Sequence, residues 1–268
     1  IGARPADGGN GAGVTSGSTR RAGSGLSQND TQSFCSAECD TAHYPKFGFT
    51  LAEVLITLGV IGIVSAMTLP GIMQKNYEKE TVARVKKAYS ILQQAYLMTV
   101  QQNGYPDEWG ATGMYEASSH ILTARKFIPY MKVLKDCTGM STHDVYKYCT
   151  KNYNDSASYA SVKIADGTTV IFRRWNGQCN GRYGTGKALS SVCGQILIDT
   201  NATGRPDISG QDIFSFYLTK EGVYPIGTEF DTLSMKNHCT KSRVWGQIYG
   251  GYANGLACTA WVLYNENL

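Results

Sequence analysis

The most constraining feature of this 268-residue sequence is an apolar run without a charged side chain. It extends over the 20 residues from Val54 to Met73. As an α-helix, a segment of this length spans about 30 Å, which matches the hydrocarbon core of a bilayer. The run therefore predicts a membrane-spanning helix. Two other interpretations stay open at this point: a buried core helix of a soluble domain, and a secretory signal peptide cut after Ala66.

Glu53 immediately precedes the uncharged run and lies inside the wider apolar stretch 49–73. A carboxylate at membrane depth costs about 2.5–3.5 kcal/mol on insertion scales, so it normally has a partner. A signal peptide and a soluble core helix both leave this carboxylate unexplained. It therefore indicates an interaction that the apolar segment itself makes.

The residues around Glu53 form a recognisable string, Lys46-Phe47-Gly48-Phe49-Thr50-Leu51-Ala52-Glu53. This string closely resembles the processing site of type IV pilins and type II secretion pseudopilins. The resemblance implies that a prepilin peptidase cuts between Gly48 and Phe49 and that Phe49 becomes the N-methylated N-terminus. It also implies an assembly role for Glu53 and a helix kink at Pro70.

The chain is expected to have four segments. Residues 1–48, rich in Gly and Ser and without an apolar period, are expected to be a disordered leader that is removed on processing or reflects a mis-assigned start. Residues 49–73 are expected to be the transmembrane and filament-core helix. Residues 74–103 are expected to continue it as an amphipathic helix, because apolar positions recur there at steps of three and four: Val82, Val85, Tyr89, Leu92, Tyr96 and Thr99. Residues 104–268 are expected to form a disulfide-bonded, β-rich globular domain.

Strand signals dominate the globular domain. The predicted strands are 158–164, 168–174, 195–199, 212–219, 223–226 and 258–264, with a short helix at 117–128. Glycine-containing turns at 165–167 and 220–222 predict antiparallel hairpins. The predicted fold class is therefore α+β. A long N-terminal helix, half membrane-spanning and half amphipathic, would pack on a mainly antiparallel sheet, as the pilin resemblance also implies.

Six of the eight cysteines lie in the globular domain. An even number in an exported domain indicates disulfide bonds, although sequence alone permits many pairings. Pairing of sequence neighbours closes short loops between strand signals. The expected pairs are Cys137–Cys149, Cys179–Cys193 and Cys239–Cys258, and free buried cysteines are the alternative.

Oxygen-bearing side chains cluster between residues 199 and 212. Hard oxygen ligands at alternate positions suit Ca²⁺. Asp199, Asn201, Asp207 and Asp212 resemble the calcium loop that some secretion pseudopilins carry. A polar turn held by its own Asp and Asn side chains is the alternative. We expect no cofactor, with Ca²⁺ at these four residues as the one candidate.

The sequence carries none of the motifs H-E-x-x-H, G-x-S-x-G and G-x-G-x-x-G, and its four histidines are scattered. No enzyme is therefore expected. The net charge of +4 is spread along the chain, so sequence-specific nucleic-acid binding, which needs clustered Lys and Arg, is not expected either.

The expected function is that of a structural subunit of a type IV pilus-like filament. Its expected partners are other copies in a filament, a prepilin peptidase/methylase, an inner-membrane assembly platform and the lipid bilayer before assembly. The chain is expected to cross the cytoplasmic membrane once, with an exported C-terminal domain, and then to enter a cell-surface or periplasmic filament. The alternatives are a type II secretion pseudopilin and a membrane-anchored extracellular binding domain that does not polymerise.

Overall fold

The computed structural model describes residues 48–151, 158–205, 207–233, 239 and 255–265. The predicted leader, residues 1–48, therefore lies outside the described residues except for Gly48. The chain divides into two compact units, Ile1–Leu51 and Ala52–Leu268. In the first unit, residues 48–50 form neither helix nor strand. The sheet and the globular core belong to the second unit.

Helix α1 extends from Leu51 to Asn103, over 53 residues, and its two halves differ in burial. None of its residues before Thr81 is buried. From Thr81 onwards, buried side chains recur at steps of three and four, as expected for a helix with one face on a core: Thr81, Val82, Val85, Ala88, Leu92, Ala95, Tyr96 and Thr99. The predicted long helix with an amphipathic half is confirmed, although Tyr89 is only partly buried.

Pro70 lies inside α1, and the helix continues on both sides of it. Proline removes one backbone hydrogen bond and its ring crowds the preceding turn, so it is a frequent cause of kinks. Helical structure is maintained through this position. The kink at Pro70 stays a prediction.

The described residues form a six-stranded antiparallel sheet in which each strand pairs with its neighbours along the chain. The strands are β1 (Val133–Asp136), β2 (Ala160–Ile164), β3 (Thr169–Arg174), β4 (Val192–Asp199), β5 (Ile213–Thr219) and β6 (Val223–Pro225). The shorter helices are α2 (Ala117–Phe127), α3 (Thr142–Tyr148) and α4 (Cys258–Asn265), with 3₁₀ turns at Pro106–Glu108 and Ile128–Tyr130. The predicted α+β class, the strands now numbered β2 to β6 and the helix α2 are confirmed.

The core lies between α1 and one face of the sheet. Leu92 of α1 and Phe172 of β3 are fully buried there. The ring of Tyr89 stacks on Phe216 with 5.2 Å between ring centroids, and Phe127 of α2 lies 5.1 Å from Phe172. Large aromatic side chains thus fill the space between the helices and the sheet, where close packing stabilises the domain.

Side chains of α1 also bond to the backbone at the β5–β6 end of the sheet. Gln93 Nε2 donates to the Val223 carbonyl at 2.7 Å, and the Tyr96 hydroxyl donates to the Lys220 carbonyl at 2.5 Å. These bonds satisfy backbone carbonyls that the β5–β6 turn and the edge strand β6 leave available. They fix the second half of α1 against the sheet.

The β2–β3 hairpin turns at the predicted Asp166-Gly167 pair. Gly167 has a φ of +88°, which glycine adopts without the steric cost of a side chain. Asp166 accepts a hydrogen bond from the Thr168 backbone N–H at 3.1 Å, and its Oδ2 lies 3.1 Å from Nζ of Lys87 on α1. Burial opposes ionisation of Asp166, but the bonds from Thr168 and Lys87 outweigh it and lower the pKa of this carboxyl.

The segment 258–264, predicted as a last strand, is instead helix α4, so this prediction is wrong. Its aromatic and β-branched residues favour strands, which is why the sequence indicated one. In the structure, Thr259 Oγ1 accepts a hydrogen bond from the Ser215 backbone N–H at 2.8 Å, and α4 packs against β5. Because β5 already pairs with β4 and β6, a further strand has no free edge of β5 to join.

Two short elements had no sequence prediction. In β1 the last three of its four residues are exposed, so the alternation that marks a half-buried strand is absent. Helix α3 has seven residues and begins after Ser141, whose Oγ accepts a hydrogen bond from the Asp144 backbone N–H at 3.2 Å. This is a typical N-cap, but the helix is too short to show a clear apolar period.

The predicted disulfide bonding is confirmed. The structure joins the expected sequence neighbours, Cys137 with Cys149, Cys179 with Cys193 and Cys239 with Cys258. The first bond ties the end of β1 to the end of α3. Bonds of this kind typically add about 2–4 kcal/mol to the stability of a domain.

Leu92→Ala is expected to lower the free energy of unfolding by about 2–5 kcal/mol, because Leu92 is fully buried and its removal leaves a cavity. Leu97→Ala is the matched control on the same helix, because Leu97 is 66 % exposed. Urea unfolding of the detergent-solubilised chain, followed by near-UV circular dichroism, measures both variants. Equal losses would contradict the packing of α1 on the sheet.

Asp166→Asn is expected to lower stability at neutral pH by about 0.5–1 kcal/mol, a small value because Lys87 is largely exposed to solvent. The pKa of Asp166 is lowered in the folded chain. Its stabilisation is therefore fully present above the unfolded-state pKa of about 4 and is lost as the pH falls through the folded-state pKa. The difference in stability between wild type and variant should shrink below about pH 4.

Thermal unfolding at a series of pH values measures this difference. Asp136→Asn is the control, because exposed Asp136 accepts the same kind of bond, from the Thr138 backbone N–H at 2.8 Å. A difference for Asp166→Asn that stays constant across the pH series would show that the ion pair with Lys87 contributes nothing.

Candidate functional site

The predicted processing site lies at the start of α1. Gly48, Phe49 and Thr50 have neither helix nor strand structure, and α1 begins at Leu51. The Phe49 side chain is 88 % exposed, and among the described residues, apart from the immediate neighbours in the chain, no atom lies within 4 Å of the point where a Cβ on Gly48 would stand. A peptide bond outside regular structure, with free space around it, is the kind that a peptidase can cut.

Glu53 lies in the first turn of α1, where the partial positive charge of the helix N-terminus favours a carboxylate. It follows Phe49 by four residues. A cut after Gly48 would therefore create an amino group four residues before this carboxylate in the sequence. The roles of Gly48, Phe49 and Glu53 in processing and assembly stay predictions.

The apolar part of α1 is exposed on all sides. It contains the one helix segment of the described residues that is long and apolar enough to cross a membrane, with a mean hydropathy of 2.0 over 18 residues and none of that window buried. Its most exposed large side chains include Ile56, Ile63, Met67 and Met73. A core helix of a soluble domain would be covered, so that interpretation disagrees with the structure. Length and composition fit both a membrane-spanning helix and a signal sequence. The residues around Glu53 therefore decide between these two interpretations.

The residues of the predicted calcium loop lie in the connection from β4 to β5. Asp199 and Asp212 are both fully buried. Asp199 Oδ1 accepts a bond from the Ala202 backbone N–H at 2.7 Å, and its Oδ2 accepts one from Thr150 Oγ1 at 2.8 Å. Hydrogen-bond donors of the protein thus engage both carboxylate oxygens of Asp199, as expected for a polar turn.

Asp212 is held in the same way. Its Oδ1 accepts a bond from the Ile208 backbone N–H at 2.6 Å, and its Oδ2 accepts one from Asn201 Nδ2 at 2.8 Å. Burial raises the pKa of Asp212 to about 7, and the nearby carboxyls of Asp199 and Asp207 contribute to the rise. Among the described residues, no group of three or more His, Cys, Asp or Glu side chains could hold a metal ion. The calcium site stays a prediction.

A buried polar cluster that the sequence did not reveal joins α2 to β3. His120 is fully buried, with Nε2 2.9 Å from the Met114 carbonyl and Nδ1 accepting from the Arg174 backbone N–H at 2.8 Å. The Arg174 guanidinium donates to the carbonyls of Pro106 and Gly177, and burial lowers its pKa to about 10. Both ring nitrogens of His120 contact backbone groups, so this histidine links structural elements and is not placed as a catalytic base. One indication of this cluster was present in the sequence: Arg174 occupies a position of β3 whose side chain is directed towards the core.

Together, these features define a class of protein. Residues 45–69 match the prokaryotic N-terminal methylation motif, and this match includes the segment from Gly48 to Glu53. A long N-terminal helix with an exposed apolar half precedes a six-stranded antiparallel sheet. The chain is therefore a pilin-like protein with a prepilin-type motif, and the resemblance stated from the sequence is confirmed. Proteins with this motif are structural subunits, and the apolar helix indicates membrane anchoring with an exported domain.

Residues 71–265 match a second family, described as "Family of unknown function (DUF6613)". This match covers more than half of the chain, so the protein belongs to that family. The two matched regions adjoin in α1, with the methylation motif ending at Leu69 and the second family beginning at Gly71. Neither the comparison with curated proteins nor the comparison with solved structures gave a match.

Proposed function

We propose that this protein is a structural subunit of a type IV pilus-like filament. It is cut after Gly48, N-methylated at Phe49 and assembled through α1. The observation that supports this most strongly is the methylation motif at the start of a helix whose apolar half lies outside the packed domain. An apolar helix of this kind needs a bilayer or other apolar helices around it.

In the proposed mechanism, assembly replaces lipid around residues 54–73 by the same segments of other copies. Each new N-terminus carries a positive charge at Phe49, which is costly in apolar surroundings unless it is paired. Glu53 of a neighbouring copy supplies the opposite charge. Such a pair fixes the axial register between subunits, as single buried polar residues fix the register of coiled coils.

The partners follow from these steps. A prepilin peptidase cuts and methylates the chain, the bilayer holds it before assembly, and an inner-membrane platform moves it into the filament. The globular domain coats the filament, on the cell surface or in the periplasm. The protein acts by assembly and not by turnover.

A pseudopilin of a type II secretion system is the second candidate, because the methylation motif is common to both classes. The two candidates share cleavage, methylation and assembly through α1. They differ in the location of the filament, since a pseudopilin filament stays in the periplasm.

The first experiment is N-terminal peptide mass spectrometry on protein from sheared surface material and from membranes. We expect the chain to begin at Phe49 and to carry one methyl group on its amine. Methylated protein in the sheared fraction would support a pilus, and its restriction to the cell envelope would support a pseudopilin. An uncut Gly48–Phe49 bond, or a start at Met67 after signal-peptide cleavage, would refute the proposal.

Glu53→Ala is expected to leave insertion into the membrane intact and to lower the yield of filaments at least about tenfold, since an unpaired buried charge costs about 3–5 kcal/mol. Glu78→Ala is the control, because Glu78 lies on the same helix outside the apolar run and bonds to Gln74 Nε2 at 2.9 Å. Immunoblots of sheared and membrane fractions compare the variants. Filaments of Glu53→Ala at the wild-type yield would refute the assembly role of this carboxylate.

A further inference from the structure

A cavity of about 500 Å³ opens between β6, α4 and the loop that leads into β4, and we call it the β6 pocket. Its lining includes three aromatic rings, those of Tyr224, Phe230 and Tyr264. Phe230 and Tyr264 are 59 % and 67 % exposed. Small-molecule sites typically have volumes of about 300–1,000 Å³ and mostly apolar linings with a few polar groups. Exposed aromatic rings beside a cavity of this size therefore indicate a surface that a ligand covers.

The rim of the β6 pocket carries hydroxyl groups and charges. Thr185 and Thr228 supply hydroxyls, and Glu229 supplies a carboxylate. Lys187 also lines the pocket, but its Nζ lies 2.9 Å from Oε1 of Glu221 in the β5–β6 turn. Within the described part of the chain, Glu229 has no ion-pair partner. The rim can therefore accept and donate hydrogen bonds without an excess of positive charge.

Hydrogen bonds between neighbouring loops hold the walls of the β6 pocket in place. The Thr185 backbone N–H donates to the Phe230 carbonyl at 2.9 Å, and Ser190 Oγ donates to the Gly186 carbonyl at 2.6 Å. Gly186 has a φ of +95°. Among the described residues, apart from its neighbours in the chain, no atom lies within 4 Å of the point where a Cβ on Gly186 would stand. The pocket is thus open and preformed, which lowers the conformational cost of binding.

The spacing of the aromatic rings argues against a compact cation as the ligand. An ammonium group is recognised by rings that enclose it closely, within about 6 Å of the ring centroids. Of the three rings that line the β6 pocket, none contacts another. They line a wide cavity, which has room for a larger ligand.

The charges and hydroxyls of the rim restrict the ligand further. A purely apolar ligand would remove the Glu229 carboxylate and the two threonine hydroxyls from water without offering them a partner, which is costly. An anion would be repelled by Glu229, because the charge of Lys187 is already neutralised by Glu221. A neutral ligand with an apolar face and a hydroxylated edge meets both requirements.

We propose that the β6 pocket binds a neutral carbohydrate. The C–H face of a pyranose ring packs on the exposed aromatic rings, and hydroxyls at its edge bond to Glu229, Thr185 and Thr228. This inference goes beyond the proposed filament function and does not depend on assembly, since every residue of the pocket belongs to the globular domain of one chain. The pocket would make this domain a sugar-binding module on the exported side of the membrane.

Tyr264→Ala tests the β6 pocket directly. The full chain, purified in a polyoxyethylene detergent that contains no sugar, is applied to an immobilised panel of neutral and acidic oligosaccharides. We expect wild type to bind at least one neutral oligosaccharide, and Tyr264→Ala to lower that affinity at least about tenfold, which corresponds to about 1.4 kcal/mol. Tyr115→Ala is the matched control, because Tyr115 is 89 % exposed and lies outside the pocket.

Three outcomes of this experiment would overturn the inference: binding of acidic oligosaccharides alone, no binding to any member of the panel, and equal affinities of Tyr264→Ala and Tyr115→Ala. Tyr264→Phe separates the ring from its hydroxyl. It should keep the wild-type affinity within about threefold, because packing on the ring is the proposed contact. A tenfold loss in Tyr264→Phe would contradict that contact.

Failure of this inference is distinguishable from failure of the proposed function. Absence of sugar binding by a chain that is cut after Gly48 and methylated at Phe49 would overturn the carbohydrate site alone. An uncut Gly48–Phe49 bond in a chain that binds sugar would refute the filament proposal alone.

Discussion

The structure depends on one helix that meets two different surroundings along its length. The first half of α1 carries an apolar segment whose side chains are apolar on all sides of the helix, and the domain covers none of these sides. In the second half, a single stripe beginning at Thr81 is buried against the sheet. Since backbone hydrogen bonds within a helix are internal, the same element can continue from an apolar medium into a water-exposed domain without leaving polar groups unsatisfied. This continuity joins the apolar segment and the globular domain through a single helix.

The domain does not need the apolar half of α1 for its own core. The strands pair in chain order, so each hairpin can form from residues that are close in sequence. Tyr89, Leu92 and Tyr96 supply the helix side of the core, and Gln93 and Tyr96 bond to the sheet backbone. Transfer of residues 54–73 from one apolar environment to another therefore leaves these contacts of the domain unchanged. In the proposed assembly, a subunit therefore moves from the membrane to the filament with its folded domain intact.

The sequence revealed what is encoded locally. The spacing of Val82, Val85 and Leu92 identified the buried stripe of α1, and the Asp166-Gly167 turn identified a hairpin. Composition misled at 258–264, because the pairing of β5 on both sides is a tertiary fact that no local pattern contains. The processing motif lies within a few consecutive residues and could be recognised directly. Residues from 87–98, 129–132 and 164–166 line the cavities beside the second half of α1, and the sequence alone gives no indication that these segments meet.

Transfer of an apolar helix from lipid to a bundle of similar helices changes its exposure to water very little. The hydrophobic effect therefore holds the segment in either place but does not choose between them, because lipid chains are as apolar as Leu and Ile. In the proposed assembly, the preference for the filament has to come from interactions that lipid cannot supply. Pairing of the Phe49 amine with Glu53 of a neighbouring copy is such an interaction. This pair would set the register of the filament core.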